Sequence, residues 1–169
     1  MNRLLFYLLL LLIVLVGLQS GISYSHLMQW PGKLRLTATE YIRVQNVLIQ
    51  YKLGVGALEV PTLLLFPIVV FIAHRNRTGF VPGLLAGMLF LTLFCVWALF
   101  IEPINHSVSQ WSPQHLPADW TAYRQYWHEL HAVRLVLFAG TLLALVGTMN
   151  AAIIITLQST KVSPFSINT

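Results

Sequence analysis

Between residues 120 and 134 the chain carries Trp120, Arg124, Trp127, His131 and Arg134 at steps of three and four. At about 100° per residue these five side chains fall within roughly 80° of one helical face. A stripe of indole, imidazole and guanidinium groups can hold a flat hydrophobic molecule, take a proton from it and stabilise the negative charge left behind. The same spacing turns His128 to the flank and Glu129 to the opposite face. His128-Glu129-Leu130-His131 is one residue short of the HExxH zinc pattern, whose two histidines need i,i+4 spacing. His26, Glu59 and the pair Glu102 and Asn105 lie near the same end of three other apolar segments. An ionisable group at membrane depth is costly and marks a candidate site. Plainer roles fit several of these residues. Trp30, Trp111 and Trp120 suit an interfacial aromatic belt, Arg134 can snorkel toward head groups, and Glu59 with Arg134 can form a purely structural pair.

A soluble domain cannot be what positions them. Of 169 residues, 57% are hydrophobic and 9% charged, where a soluble chain carries about 25% charged residues. The mean hydropathy is +0.73. Ten Lys/Arg and five Asp/Glu cannot cover a water-facing surface, which excludes a secreted globular enzyme, a nucleic-acid binder and a disordered chain. The net charge of +5 sits beside apolar runs, where basic residues anchor and orient helices. Cys95 is the single cysteine, so an intramolecular disulfide, a CxxC redox pair and a Cys-rich zinc site are all excluded.

The expected architecture is an all-α integral membrane domain, a bundle of four transmembrane helices over about 4–24, 53–73, 80–101 and 132–157. At 1.5 Å per residue each spans roughly 30 Å, the thickness of the hydrocarbon core. The first run, with Arg3 ahead of it, has the outline of a signal peptide, but no small-x-small cleavage pattern follows, so a retained helix is expected. Thr37 and Glu40 form a capping box opening a short amphipathic helix in the first outer loop, with Tyr41, Val44, Gln45 and Leu48 on one face over the bundle mouth. The second outer connection, 102–118, holds three prolines and ends at Asp119, a good helix start. From there to Gln158 no proline occurs, so the fourth helix is long and its first turns project outward. Residues 158–169 read as a short polar tail.

Four spans put both termini on one side. That side holds Arg3, Arg75, Arg77 and Lys161 at high density with no acid, around the tight His74-Arg75-Asn76-Arg77 turn. Dense basic short loops face the cytoplasm, so the protein is expected as a multi-pass cell (inner) membrane protein with cytoplasmic termini and its ionisable cluster outside. Gly83 and Gly87 form a GxxxG spacing that signifies close helix packing. Asn76-Arg77-Thr78 and Asn105-His106-Ser107 both match the glycosylation sequon but lie on opposite sides.

The stretches Ser25-His26-Leu27-Met28-Gln29-Trp30-Pro31-Gly32-Lys33, Tyr41-Ile42-Arg43-Val44-Gln45, Glu102-Pro103-Ile104-Asn105 and Leu116-Pro117-Ala118-Asp119-Trp120, with Trp127 and His131, resemble the anthrone-oxygenase-like family of small four-helix membrane proteins. Much of that family is known as a domain of unknown function. Its named members are similar to cofactor-independent oxygenases that convert aromatic anthrones to quinones. The resemblance implies no cofactor and no metal, with a lipid bilayer and a hydrophobic small molecule as partners and no nucleic acid. The family pattern falls here on Asn105, Trp111, Trp120, Trp127 and His131. An anthrone that loses a C–H proton becomes an electron-rich carbanion able to pass an electron to O₂ without metal, which needs a base and an oxyanion stabiliser. His131 is the expected base, with Asn105 and Arg134 on the anion; Trp127, Trp111, Trp120, Arg124, His26 and Glu59 are the expected substrate contacts. The competing function is non-catalytic: a membrane binding or accessory protein for a lipophilic ligand or partner subunit. A third, a metal or haem site on His26, Glu59 and His131, matches ligand chemistry but no known ligand spacing.

Overall fold

The computed structural model describes residues 3–49, 52–75, 77 and 79–162. Seven helices account for most of them: α1 (Arg3–Met28), α2 (Trp30–Lys33), α3 (Ala38–Ile49), α4 (Lys52–Arg75), α5 (Phe80–Val96), α6 (Glu102–Ser109) and α7 (Trp120–Val162), with a π-helical turn, Trp97–Ile101, joining α5 to α6. Four stretches are long and apolar enough to cross a bilayer: Arg3–Lys33, Ala57–Arg75, Phe80–Ser109 and Trp120–Ile155. α7 packs against α1 and α5, and α4 closes the ring between those two.

A single pattern explains why the four long helices meet lengthwise. Buried positions step alternately by three and four: Leu5, Leu9, Leu12, Val16, Gln19 and Ser23 on α1, and Glu59, Thr62, Phe66, Val69 and Ala73 on α4. On α7 the seam runs from Arg124 through Trp127, His131, Arg134, Phe138, Thr141, Leu145 and Thr148 to Ala152. A 3–4 repeat keeps one narrow stripe facing its neighbours and favours small crossing angles. One half of the seam is apolar, centred on Phe66, Phe90 and Phe138. The outward faces carry large exposed apolar residues such as Leu64, Phe71, Val81, Val136 and Leu143. Gly83 and Gly87 let neighbours approach as the GxxxG spacing predicts, Gly83 against Thr148 and Gly87 against Phe66.

Several boundaries differ from the sequence-based expectation. α1 continues to Met28, and the third span does not stop at 101: helix persists to Ser109. Pro103 ought to end a regular helix, since it lacks the N–H that would bond the carbonyl four residues back. The π turn before it resets the ladder, with the N–H of Glu102 donating to the Trp97 carbonyl five residues back. The expected connection 102–118 thus shrinks to a short loop around Ser112 and His115. α3 begins as predicted. The N–H and Oγ1 of Thr37 donate to Glu40 Oε2 at 2.8 and 2.7 Å, and the N–H of Glu40 faces Thr37 Oγ1 at 3.5 Å. It lies on α6, burying Tyr41, Ile42 and Gln45 and leaving Val44 exposed, because the extended third span offers the wall that it covers. α7 reaches Val162, into the expected polar tail; residues 163–169, Asn76 and Thr78 lie outside the described residues.

Candidate functional site

Moving outward along the seam, the apolar core gives way to polar groups. Gln19 Nε2 donates to Thr62 Oγ1 at 2.9 Å, tying α1 to α4. One turn further, Arg134 on α7 donates through Nη2 to Glu59 Oε1 on α4 in an ion pair whose side chains are 3% and 1% exposed. This is the pairing that their similar depth predicts. The Arg134 guanidinium also lies 5.5 Å from the Phe138 ring.

Above that pair, Trp127 is the hub. Its Nε1 donates to Asn105 Oδ1 on α6 at 2.9 Å, and Asn105 Nδ2 donates in turn to Glu102 Oε2 at 3.3 Å. The His131 ring lies 4.2 Å from the Trp127 ring, and the His26 ring from α1 lies 4.8 Å from Trp127 and 4.4 Å from His131. His131 is 4% exposed, and neither of its ring nitrogens has a hydrogen-bond partner within the protein. The Nδ1 of His26 is likewise buried and unpartnered, in a residue that is half-buried as a whole. Buried polar groups are almost always hydrogen-bonded. Adjacent imidazole nitrogens on α1 and α7 that are not so bonded mark the pair as a candidate site.

Two of the expected contacts, Arg124 and Trp111, have partners within the protein. Arg124 donates from Nη1 to the carbonyls of Lys33 at 2.9 Å and Leu36 at 3.5 Å, while its guanidinium lies 4.7 Å from the Trp120 ring and 5.8 Å from Tyr41. It clamps the 33–36 turn onto α7. Trp111 meets Tyr123 edge-on at 5.3 Å, on the outer rim of the second core cluster around Ile101, Ile104 and Val108. Glu129 is exposed and accepts from Gln125 Nε2 at 2.8 Å, as its place opposite the stripe requires.

His128 corrects the helical-wheel reading. Far from lying outside the cluster, it is fully buried, stacked on Trp30 at 5.4 Å with the rings nearly parallel, and edge-on to Trp127 at 5.0 Å. α2 folds down over the flank of α7 and covers it, a contact that spacing along α7 alone cannot show. Lys33, the last residue of α2, was unforeseen as a site residue. Its side chain is 3% exposed, Nζ donates to Gln45 Oε1 on α3 at 3.1 Å and stands 4.6 Å over the Trp127 ring. The signal available in the sequence was its position one turn beyond Trp30 in a stretch held short by Pro31. Among the described residues, no three His, Cys, Asp or Glu side chains converge to hold a metal ion. Asn105 is buried with its amide engaged, so the sequon it heads is not open to a glycan.

Comparison with protein-family models, with curated proteins and with solved structures yields no match to this chain.

Proposed function

We propose that this chain is a multi-pass membrane protein that oxygenates a hydrophobic aromatic molecule at the extracytoplasmic end of its bundle, using no cofactor. The observation that carries this reading is buried His131, unpartnered at both ring nitrogens, beside half-buried His26, unpartnered at Nδ1, against the Trp127 face. An aromatic substrate with an acidic C–H bond lies against Trp127 and gives that proton to His131. The carbanion passes one electron to O₂, giving superoxide and a substrate radical, which combine to form a C–O bond. Loss of the second proton from that carbon breaks the O–O bond and releases water, so CH₂ and O₂ become C=O and H₂O. Arg134, ion-paired with Glu59 one turn along α7 from His131, supplies positive charge near the developing anion. Asn105 holds Trp127 in place through its accepted hydrogen bond. Partly exposed His26 and Trp30, flanked by exposed Tyr24, Met28 and Leu34, form an access edge from the lipid side.

The test is O₂ uptake by the purified chain in lipid nanodiscs supplied with anthrone. Uptake should match anthrone consumed one to one and fall at least about a hundredfold in His131→Gln, the scale of a lost general base. Saturable binding without uptake supports instead a non-catalytic holder of a lipophilic ligand. That second reading is favoured by the prior engagement of Asn105 with Trp127 and of Arg134 with Glu59.

The placement of the site outside rests on the acid-free basic turn at 74–77. In intact cells, with Cys95 replaced by serine, an impermeant maleimide should label Ser109→Cys and spare Asn76→Cys. The reverse pattern moves the site to the cytoplasmic face.

A further inference from the structure

Around Trp127 the protein's own hydrogen-bonding groups do not balance. Trp30 Nε1 and Gln45 Nε2 are donors, both buried and both without a partner within the protein. Lys33 Nζ has one acceptor, Gln45 Oε1, and among the described residues it makes no ion pair with a carboxylate. Both nitrogens of fully buried His128 are also unpartnered. Trp30 and Lys33 sit three residues apart on the single turn of α2 and so share a face. His128 stacks on Trp30, Gln45 holds Lys33, and Lys33 stands over the same Trp127 ring that packs on His131. Of the other unpartnered acceptors, Gln19 Oε1 and Glu59 Oε2 belong to α1 and α4, on side chains bonded to Thr62 and Arg134, while the Tyr41 hydroxyl and one nitrogen of each neutral imidazole can donate or accept but carry no charge to pair with Lys33. A lysine this buried is rare unless paired, and a cluster of buried donors is costly until an acceptor fills it.

We infer that Lys33, Gln45, Trp30 and His128 form a receptor for a compact oxyanion, so that the molecule taken up is an acidic amphiphile. Its carboxylate or enolate oxygens bind the α2–α3 side, and its apolar ring lies across Trp127 toward His131. This deepens the reading of the cluster as a ligand site by naming the class of ligand, and it rests on that reading. It also accounts for the placement of α2 and α3, which carry Trp30, Lys33 and Gln45 over the bundle end while Arg124 pins the connecting turn through the Lys33 and Leu36 carbonyls.

The experiment compares 2-naphthoate with its methyl ester, matched in ring but not in charge, for binding to the full chain in phosphatidylcholine nanodiscs, after subtraction of partition into empty discs. The acid should bind at least about tenfold more tightly than the ester, as expected for charge-assisted hydrogen bonds. Lys33→Met should remove that difference while leaving ester affinity within about twofold, and Lys33→Arg should restore part of it. Trp30→Phe, which keeps the stacked ring and deletes the N–H, should weaken the acid alone by about threefold to tenfold, and it tests the receptor if Lys33→Met does not fold. Discs containing phosphatidylglycerol identify the source of the oxyanion. An unchanged acid preference assigns the receptor to a free acid, whereas competition that Lys33→Met abolishes assigns it to a lipid phosphate. Equal binding of acid and ester, or an acid preference untouched by Lys33→Met and by Trp30→Phe, overturns the receptor. Anthrone-dependent O₂ uptake alongside equal binding overturns the receptor and leaves the oxygenase; acid preference without uptake does the opposite.

Discussion

Glu59 and Arg134 show most directly what single residues contribute here. Each is nearly inaccessible and each depends on the other for its charge. Removing one partner of a buried pair leaves an uncompensated charge and costs about 3–5 kcal/mol, whereas removing both is far milder. Glu59→Gln and Arg134→Gln should therefore each lower the melting temperature of the purified protein, and the double change should cost much less than the sum. Strict additivity would mean that the pair contributes no coupling. His128 and His131 provide a second contrast. Both are buried without a hydrogen-bond partner in the protein, but His128 is stacked under Trp30 while His131 faces His26 and Trp127. His131→Gln should abolish O₂ uptake with little change in melting temperature. His128→Ala should lower both, because it also empties the space beneath Trp30.

At the scale of elements, the capping box of α3 and the π turn of α5–α6 each solve a local backbone problem. Thr37 hydrogen bonds hold the Glu40 carboxyl below its ordinary value of 4.5. The Glu40 contribution to α3 is therefore complete above 4.5 and is lost as pH falls through the lowered folded value. Amide exchange at residues 39–41 should accelerate on acidification through that range, and Glu40→Gln should flatten the response. Thr37→Ala should cost about 1 kcal/mol of helix stability, read as faster exchange in the same amides. Tyr41, the next residue of α3, turns inward and is buried, and burial raises its phenol above the ordinary tyrosine range, so it packs as a neutral ring against Trp120.

For the molecule as a whole, the 3–4 seam sets four helices side by side, and close approach at Gly79 locks α5 to α7 at the end away from the site. Gly79 has φ +64, and a Cβ there would stand 2.7 Å from the Thr148 carbonyl oxygen and 3.0 Å from its Cγ2. Gly79→Ala combines left-handed strain of roughly 1–2 kcal/mol with a backbone clash. It should lower the melting temperature while leaving naphthoate affinity unchanged in the folded fraction. A matching loss of affinity would mean that the two ends of the bundle are coupled.

Sequence alone determined what spacing and chain chemistry can determine. Hydrophobic runs of membrane length produce long helices, a Thr-x-x-Glu pattern produces a capped start, and a 100° step puts Arg124, Trp127, His131 and Arg134 on one face of α7. The Glu59–Arg134 pair was legible because both sit at matching depth in apolar segments, where an opposite charge is the cheapest partner. Other features needed the tertiary structure. Pro103 argues locally for a helix end, and the π turn that carries the helix past it has no sequence signature. Gln45 falls on the face of α3 expected over the bundle mouth, but its partner does not follow from that, and the burial of Lys33 and His128 is at most weakly marked, since a lysine in a connecting segment is ordinarily solvated. They are buried because α2 and α3 fold back over α7, where Arg124 captures the carbonyls of their turn. Contacts between residues some 90 positions apart are set by packing between elements, which periodicity within one helix does not encode.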